Sequence, residues 1–176
     1  AGDGGDELFG GNTRYAKQRV FGLYDGVPAP LRRGLLEPAL SGAWVDRVPG
    51  LKKGKSYIEQ ARVPLPDRMQ MYNLLRRLGP EQVFTPAMRH AVDDDAPLRA
   101  QREVWAQPRH AGALDRQLAF DWRYTLAECD LPKVCGSTAL AGVGVGFPLL
   151  DQDLVDFSMR LPPSYKLRGL KLRWFF

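Results

Sequence analysis

The amino-acid sequence predicts a mainly α-helical protein, and three observations lead to that fold class. Apolar residues recur every three or four positions in several segments, the period of a helix that buries one face. The 14 prolines and 18 glycines divide the chain into short intervals of helical character. Runs of alternating β-branched residues between turns, which would indicate strands, are scarce. We therefore expect one mostly helical domain over residues 1–176, without a visible linker.

Helices in the first half of the chain are predicted from apolar spacing and from residues that start or stop helices. Asp67 is placed to cap one helix, and Gly79-Pro80 ends it. Thr85 caps the next helix, with Pro86 in the first helical position, where no N–H is needed. The expected helices are Asn12–Tyr24, Pro30–Leu40, Leu51–Ala61, Asp67–Leu78 and one that begins at Thr85-Pro86.

The strongest helical pattern lies in the second half of the chain, where large apolar residues recur every four positions. These residues are Leu114, Leu118, Trp122 and Leu126. Asp151 is the predicted N-cap of the last helix, and its inward-facing residues are expected to be Leu154, Val155 and Phe157. The expected helices are Leu98–Trp105, Ala111–Leu126, a short helix from Leu131-Pro132 to Gly142, and Asp151–Arg160.

The composition is that of a globular protein and argues against several classes of function. Hydrophobic residues make up 44% and charged residues 26%, which argues against disorder. No stretch of about 18 uncharged apolar residues occurs, so we expect no membrane span. The net charge of +5 is spread along the chain without a clustered basic stripe, so we expect no nucleic-acid partner. Cys129 and Cys135 are too few for a disulfide framework and predict reduced thiols in a cytoplasmic protein.

The most informative segment is the glycine-rich, acidic run at residues 2–11, GDGGDELFGG. Its glycines let the backbone turn sharply and let a ligand approach the main chain. A helix that begins near Gly5 would direct free N–H groups at that ligand, which favours phosphate. Because carboxylates repel phosphate, a Mg²⁺ ion between them would complete the site. The residues alone leave a second interpretation open, in which Asp6 and Glu7 only complement the helix dipole.

This run resembles the signature G-(D/E)-G-(G/S)-D-E-(L/V)-F-G-G of the glutamine-hydrolysing asparagine synthetases. Further blocks keep the order of the same family, in which they read LP-x-K-V, S-x-A and V-P-F-L-D. Residues 25–105 match in length and helical character only. The matching blocks here are Leu131–Val134, Ser137–Ala141, Pro148–Asp151, Leu154–Phe157, Leu161–Pro163, Lys166–Gly169 and Lys171–Phe176.

The resemblance implies a fold and an activity. The chain would be the helical C-terminal portion of an α/β synthetase domain of the ATP-pyrophosphatase type (adenine nucleotide α-hydrolase-like). In that family Mg²⁺-ATP adenylates the side-chain carboxylate of aspartate, and ammonia derived from glutamine then gives asparagine. The glutaminase domain and the S-G-G-x-D-S phosphate loop do not occur in residues 1–176, so we expect this portion alone to be inactive. The resemblance also implies a cytoplasmic homodimer.

The resemblance assigns roles to seven residues. Asp6 matches the aspartate that binds Mg²⁺-pyrophosphate, and Asp3 matches the acidic residue beside the reacting carboxyl-adenylate. The backbone turn near ATP corresponds to Gly2, Gly4 and Gly5. The family's lysine that stabilises acyl transfer aligns with Arg173, while Lys171 lies two residues earlier; both stay open as the basic catalytic residue.

Two departures from the family pattern leave alternatives open. Gly144 and Gly146 stand where the family has a carboxylate and an arginine, and Arg173 replaces the lysine. An amidotransferase with an acceptor other than aspartate would fit these changes. So would a degenerate synthetase domain that serves as a binding or scaffold module.

Overall fold

The computed structural model describes residues 2–42, 45, 48–71 and 73–176. Helix accounts for 69% and strand for 2%, which confirms the predicted mainly α class. Two compact units are present, one made of Ala1–Gln18 with Val104–Phe176 and the other of Arg19–Glu103. The expectation of one domain stays a prediction. Among the residues described, no helix is long and apolar enough to cross a membrane.

The elements follow in chain order, with α-helices and strands numbered as they occur. They are α1 Gly5–Phe9, α2 Thr13–Asp25, α3 Ala29–Leu31, a π-helical stretch Arg32–Leu36, α4 Glu37–Ser41, α5 Pro49–Ala61, a 3₁₀ turn Asp67–Gln70, α6 Leu74–Leu78, α7 Pro80–Val83, α8 Pro86–Ala91, α9 Ala96–Ala106, α10 Ala113–Asp121, a π-helical stretch Trp122–Asp130, α11 Leu131–Leu140, a 3₁₀ turn Pro148–Leu150, α12 Gln152–Arg160, α13 Pro163–Lys166, β1 Leu167–Arg168 and β2 Lys171–Leu172.

The unit Arg19–Glu103 has a core in which helices α2 and α5 meet. Its fully buried members are Phe21, Tyr24, Ile58 and Ala61. The buried Arg68 donates hydrogen bonds to the carbonyls of Val63, at 2.7 Å, and Ala61, at 2.6 Å. Its guanidinium also lies 5.0 Å from the centre of the Phe21 ring. A charged side chain can occupy this core because carbonyl oxygens and an aromatic face surround it.

The predicted single helix Asp67–Leu78 is wrong, because a 3₁₀ turn and helix α6 stand in its place. Asp67 is not an N-cap either. Pro66 occupies the N-cap position, and the Asp67 carboxylate accepts a hydrogen bond from Arg102 Nε at 2.9 Å. The predicted cap at Thr85 is confirmed, since its hydroxyl accepts from the Met88 N–H at 3.3 Å.

The unit made of Ala1–Gln18 and Val104–Phe176 is built on α10, the π-helical stretch after it and α11. The predicted end at Leu126 is wrong, because the π-helical stretch continues the helix to Asp130. The short helix predicted from Leu131 is confirmed as α11, which follows that stretch directly. Both π-helical stretches of the described chain end two residues before a proline, Pro38 or Pro132. A proline ring collides with the carbonyl four residues earlier in an α-helix, and a wider turn relieves that contact.

The core of this unit joins distant segments, with Tyr15, Leu118 and Leu167 fully buried together. Leu167 belongs to a short antiparallel hairpin, in which it pairs with Leu172 across the turn at Gly169. Strands of two residues carry no periodic signal, so this hairpin could not be predicted from the sequence.

Helix α12 begins as predicted, with the Asp151 carboxylate accepting from the Asp153 N–H at 3.0 Å. The inward position predicted for Phe157 is wrong, since its side chain is 40% exposed. Ser158 takes the buried position and donates a hydrogen bond to the Leu8 carbonyl at 2.7 Å. The helix therefore turns a small hydroxyl toward α1, where a phenyl ring would leave that carbonyl unpaired.

Candidate functional site

The glycine-rich run forms a tight turn around the short helix α1, which begins at Gly5 as predicted. Gly4 and Gly10 flank this helix with φ angles of 95° and 70°, a region that strongly favours glycine. A Cβ atom on Gly4 would also lie 2.2 Å from Leu150 Cδ2. Since α1 has only five residues, its dipole is small, and the electrostatics of the site depend mainly on side chains.

A cavity of about 320 Å³ opens against this turn. Six of the seven residues assigned by family resemblance line it, and Lys171 does not. Other members of the wall were not assigned a role from the sequence, notably Glu7, Asp130 and Leu149. A signal for the first two existed, because Glu7 is part of the glycine-rich motif and Asp130 directly precedes the Leu-Pro-Lys-Val block. The six predicted wall residues are Gly2, Asp3, Gly4, Gly5, Asp6 and Arg173.

Arg173 and Asp6 form an ion pair at the wall of this cavity, with Arg173 Nη2 donating to Asp6 Oδ1. Arg173 has φ 48°, the left-handed region that side chains other than glycine rarely adopt. Gly11 leaves room for the pair, because a Cβ atom there would lie 2.1 Å from both Asp6 Oδ1 and Arg173 Nε. The backbone thus holds an unfavourable conformation at the residue that brings positive charge to the glycine turn.

Lys171 lies elsewhere. Its ammonium is 4.5 Å from the centre of the Trp174 ring, and Arg168 approaches the same ring at 4.7 Å. Of the two basic residues left open by the sequence, Arg173 is therefore the one that reaches the cavity.

Carboxylates dominate the remaining polar wall. Glu7 is buried, and this burial raises its pKa above the ordinary value near 4.5. The nearby charges of Asp6, Asp121 and Asp130 raise the pKa of Glu7 further. Asp130 itself accepts a hydrogen bond from Lys133 Nζ at 2.7 Å, and this contact raises the pKa of Lys133. The wall thus concentrates negative charge, with Arg173 as its lining cation.

A buried network next to the motif fixes the start of helix α2. Asp121 is completely buried and accepts from Arg14 Nη1 at 3.0 Å and from Thr125 Oγ1 at 3.3 Å. Burial raises the pKa of Asp121 and also that of the neighbouring Tyr15 hydroxyl. Arg14 comes three residues after Gly11, so its pairing with Asp121 sets the direction in which the chain leaves the glycine turn.

Gly144 and Gly146 lie in the exposed segment between α11 and the 3₁₀ turn Pro148–Leu150. Neither lines the cavity, and a Cβ atom on either would meet nothing within 4 Å. Steric crowding therefore does not require glycine at these two positions.

The donor set suits a hard cation that is shared with a phosphate ligand. The carboxylates of Asp3 and Asp6 line one wall, and oxygen is the ligand that Mg²⁺ prefers. Within residues 2–42, 45, 48–71 and 73–176, no group of three or more His, Cys, Asp or Glu side chains could hold a metal by itself. Mg²⁺ commonly takes only one or two carboxylates and completes its shell with water and substrate phosphates, so the arrangement fits that ion.

The site thus combines a left-handed glycine turn, carboxylates and an arginine on one polar cavity. The family model for asparagine synthase matches residues 1–176, so the chain belongs to that family. The resemblance found in the glycine-rich run and in the later blocks is thereby confirmed.

Relatives in two mycobacterial species carry the same name. Each is called "Putative asparagine synthetase (glutamine-hydrolyzing)", and they come from Mycobacterium bovis strain AF2122/97 and Mycobacterium tuberculosis strains CDC 1551 and H37Rv. Each is 28% identical over 173 residues, which is 95% of this chain and 24% of the relative. The chain therefore spans about a quarter of the length of these relatives. No solved structure matches it.

Proposed function

We propose that the chain is the helical part of an ATP-dependent synthetase that converts aspartate to asparagine. The surrounding domain would have the ATP-pyrophosphatase fold, a parallel sheet wrapped by helices. Membership of the asparagine synthase family and the names of the relatives support this reaction class. Ammonia would come from glutamine through a glutaminase segment outside residues 1–176, and the working protein would be a cytoplasmic homodimer.

The observation that carries the proposal is the pair of Asp6 and Arg173 on the wall of the glycine-lined cavity. A polyphosphate needs both close backbone approach and neutralisation of its charge. The glycine turn permits the approach, and Arg173 supplies a guanidinium that suits phosphate oxygens. Asp6 cannot contact phosphate directly without repulsion, so its role is that of a metal ligand.

Each residue then has a place in the chemistry. A bound Mg²⁺ would neutralise the polyphosphate, with Asp6 as its ligand and Asp3 nearby on the same wall. The aspartate carboxylate attacks the α-phosphorus of ATP, and pyrophosphate leaves. Ammonia then attacks the acyl carbon, and AMP leaves with the electrons of the broken acyl–oxygen bond. Asp3 lies beside the reacting carboxyl, and Arg173 stabilises negative charge as each leaving group departs.

Pyrophosphate release by the full-length gene product tests this proposal. The assay contains Mg²⁺-ATP, aspartate and ammonium; ammonium bypasses the glutaminase and so examines only the synthetase reaction. We expect release that depends on aspartate, and we expect Asp6→Asn to reduce it by about 100-fold or more. Asp94→Asn is the matched control, since Asp94 lies exposed in the loop before α9. Full activity of Asp6→Asn would refute the role of this cavity.

A second candidate function is transfer to an acceptor other than aspartate. It is favoured by Gly144 and Gly146, because the chain lacks the family's carboxylate and arginine at these positions. The same assay separates the candidates: other carboxylates would compete with aspartate or replace it. Nucleotide binding without any release would instead favour a degenerate module that binds but does not turn over. The expectation that residues 1–176 alone are inactive is tested by assaying that segment in parallel.

A further inference from the structure

A second cavity, of about 490 Å³, lies within the unit made of Ala1–Gln18 and Val104–Phe176. Helices α1, α10 and α12 and the end of α13 form its wall. Its volume falls within the range of roughly 300–1,000 Å³ that is usual for small-molecule sites. Most of the wall is apolar, with Leu118, Trp122 and Val155 among its members. None of the residues given a role in the adenylation reaction lines this cavity, although Glu7 lies on the walls of both cavities.

One charged side chain in this wall is buried without a partner. Lys166 is 6% exposed, and within the part of the chain that the structure describes its ammonium makes no hydrogen bond or ion pair. Burial lowers the pKa of Lys166, and the negative charge of Asp115 offsets this in part. An anionic group in the cavity would therefore meet a cation that no other group of the described chain pairs with, and charge-assisted hydrogen bonds are among the strong ones.

An unpaired carboxylate lies on the same wall. Asp115 is half-buried in the first turn of α10 and forms no ion pair with Lys166, although their charges interact. The two opposite charges therefore face one cavity with a gap between them. The hydroxyl of Ser158 is less available, because it already donates to the Leu8 carbonyl.

We propose that this cavity binds a free α-amino acid with an apolar side chain. The ligand carboxylate accepts from Lys166, and its ammonium donates to Asp115. The side chain packs on the apolar wall of Leu118, Trp122 and Val155. A neutral apolar ligand would leave both charges unpaired, and a phosphate ester would leave Asp115 without a positive partner. A ligand with one negative charge, one positive charge and an apolar side chain can pair with Lys166 and Asp115 and also pack on the apolar wall.

Calorimetric titration of the full-length gene product with L-leucine tests the proposal. Two analogues each remove one charge: 4-methylpentanoate keeps the carboxylate, and 3-methylbutylamine keeps the ammonium. We expect leucine to bind at least about tenfold more tightly than either analogue, since each loses one charge-assisted hydrogen bond. Absence of saturable leucine binding would overturn the proposal. Equal affinity for leucine and 4-methylpentanoate would also overturn it, because Asp115 would then have no role.

Amino-acid substitutions in the cavity wall test whether leucine binds in this cavity. Lys166→Met should weaken leucine binding about tenfold or more, and Asp115→Asn should reduce the affinity for leucine to near that for 4-methylpentanoate. Asp94→Asn serves as the matched control, because Asp94 lies in the exposed loop before α9 and lines neither cavity. The affinity of this variant for leucine should equal the parent's. Far-ultraviolet circular dichroism verifies that each variant is folded. Loss of leucine binding in Asp94→Asn, or its retention in both cavity variants, would place the site elsewhere and refute the proposal.

Discussion

The guanidinium of Arg173 donates a hydrogen bond to the carboxylate of Asp6, although 167 residues separate them in the sequence. The hairpin of β1 and β2 positions Arg173, which follows β2 directly. Leu167 in that hairpin is anchored in the same core as Tyr15, soon after the glycine-rich run. Packing of two short apolar segments thus brings a cation to an acidic turn at the opposite end of the chain.

Replacement of Arg173 tests whether this cation takes part in the reaction. We expect Arg173→Met to reduce the kcat of pyrophosphate release by about 100-fold, the usual loss when an electrostatic donor is removed from an active site. Lys171→Met should cause a smaller loss, because that ammonium lies on Trp174 and outside the cavity. Steady-state kinetics on both variants measures the difference.

The control for these two variants is Arg168→Met, which also removes a cation from the Trp174 ring. It should keep the parent's kcat. A larger loss in Lys171→Met than in Arg173→Met would reverse the assignment of the basic residue.

A methyl group at Gly11 should disturb the site more than the fold. The new Cβ atom would lie 2.1 Å from both Asp6 Oδ1 and Arg173 Nε, so the ion pair must move apart. These atoms are the ends of side chains, so we expect the free energy of unfolding to change by less than about 1 kcal/mol, since surface side chains adjust readily. The KM for ATP should rise about tenfold, in line with loss of a charged contact.

Gly136→Ala is the matched control for that substitution. Gly136 lies within α11, and a Cβ atom there meets nothing within 4 Å. This variant should gain about 0.5–1 kcal/mol of stability, because alanine favours helix, and keep the parent's KM. An unchanged KM in Gly11→Ala would show that the ion pair is not needed for nucleotide binding.

The buried carboxylate of Asp121 predicts a large loss of stability when Arg14 is removed. In Arg14→Met the charge of Asp121 would remain buried with only neutral hydroxyl groups near it, those of Thr125 and Tyr15. Breaking a fully buried pair costs about 3–5 kcal/mol, and the partial exposure of Arg14 reduces the expected cost to about 2 kcal/mol. Urea denaturation measures the change.

Arg123→Met is the comparison for Arg14→Met. Arg123 pairs with Glu128 at 2.7 Å, but both side chains are largely exposed. Its loss should change the free energy of unfolding by less than about 1 kcal/mol. Similar effects of the two variants would mean that the Asp121 network does not stabilise the unit.

Because burial raises the pKa of Glu7, we expect the free energy of unfolding to depend on pH through this carboxyl group. Because burial raises its pKa in the folded state, the folded protein binds more protons than the unfolded one above the ordinary value near 4.5. The contribution of Glu7 to the free energy of unfolding is therefore full below that pH and is lost as the pH rises through the raised pKa. Glu7→Gln should make the decline in stability with pH less steep, as measured by thermal unfolding across a pH series.

Glu128→Gln provides the control for this series, because its side chain is 45% exposed. It should leave the slope of stability against pH close to the parent's. An equal slope in Glu7→Gln and the parent would show that the Glu7 carboxyl has no raised pKa in the folded protein.

Local interactions explain which elements could be predicted. The caps at Thr85 and Asp151 depend on a side chain and a backbone N–H two or three residues away, and both are confirmed. Asp67, like Asp151, is an aspartate at the start of a helical pattern, but the distant Arg102 binds its carboxylate. A cap can therefore be read from sequence only where no remote partner competes for the same oxygen atoms.

The candidate site also has one part that local sequence predicts and another part that depends on tertiary contacts. Glycines and carboxylates within residues 2–7 lie near one another because the chain joins them, so their pattern alone predicted the acidic glycine wall. Arg173 and Lys171 are equally basic and nearly adjacent, and nothing local distinguishes them. The left-handed backbone at Arg173 and the Trp174 ring beneath Lys171 make that distinction.

By itself the sequence determined the mainly α class, the family and the glycine turn, since each depends on residue types close together in the chain. Tertiary structure alone decided which cation meets Asp6, and it alone placed Lys166 and Asp115 on one cavity. The physical reason is that burial and pairing of charges depend on elements remote in sequence, which come together only when their apolar faces pack.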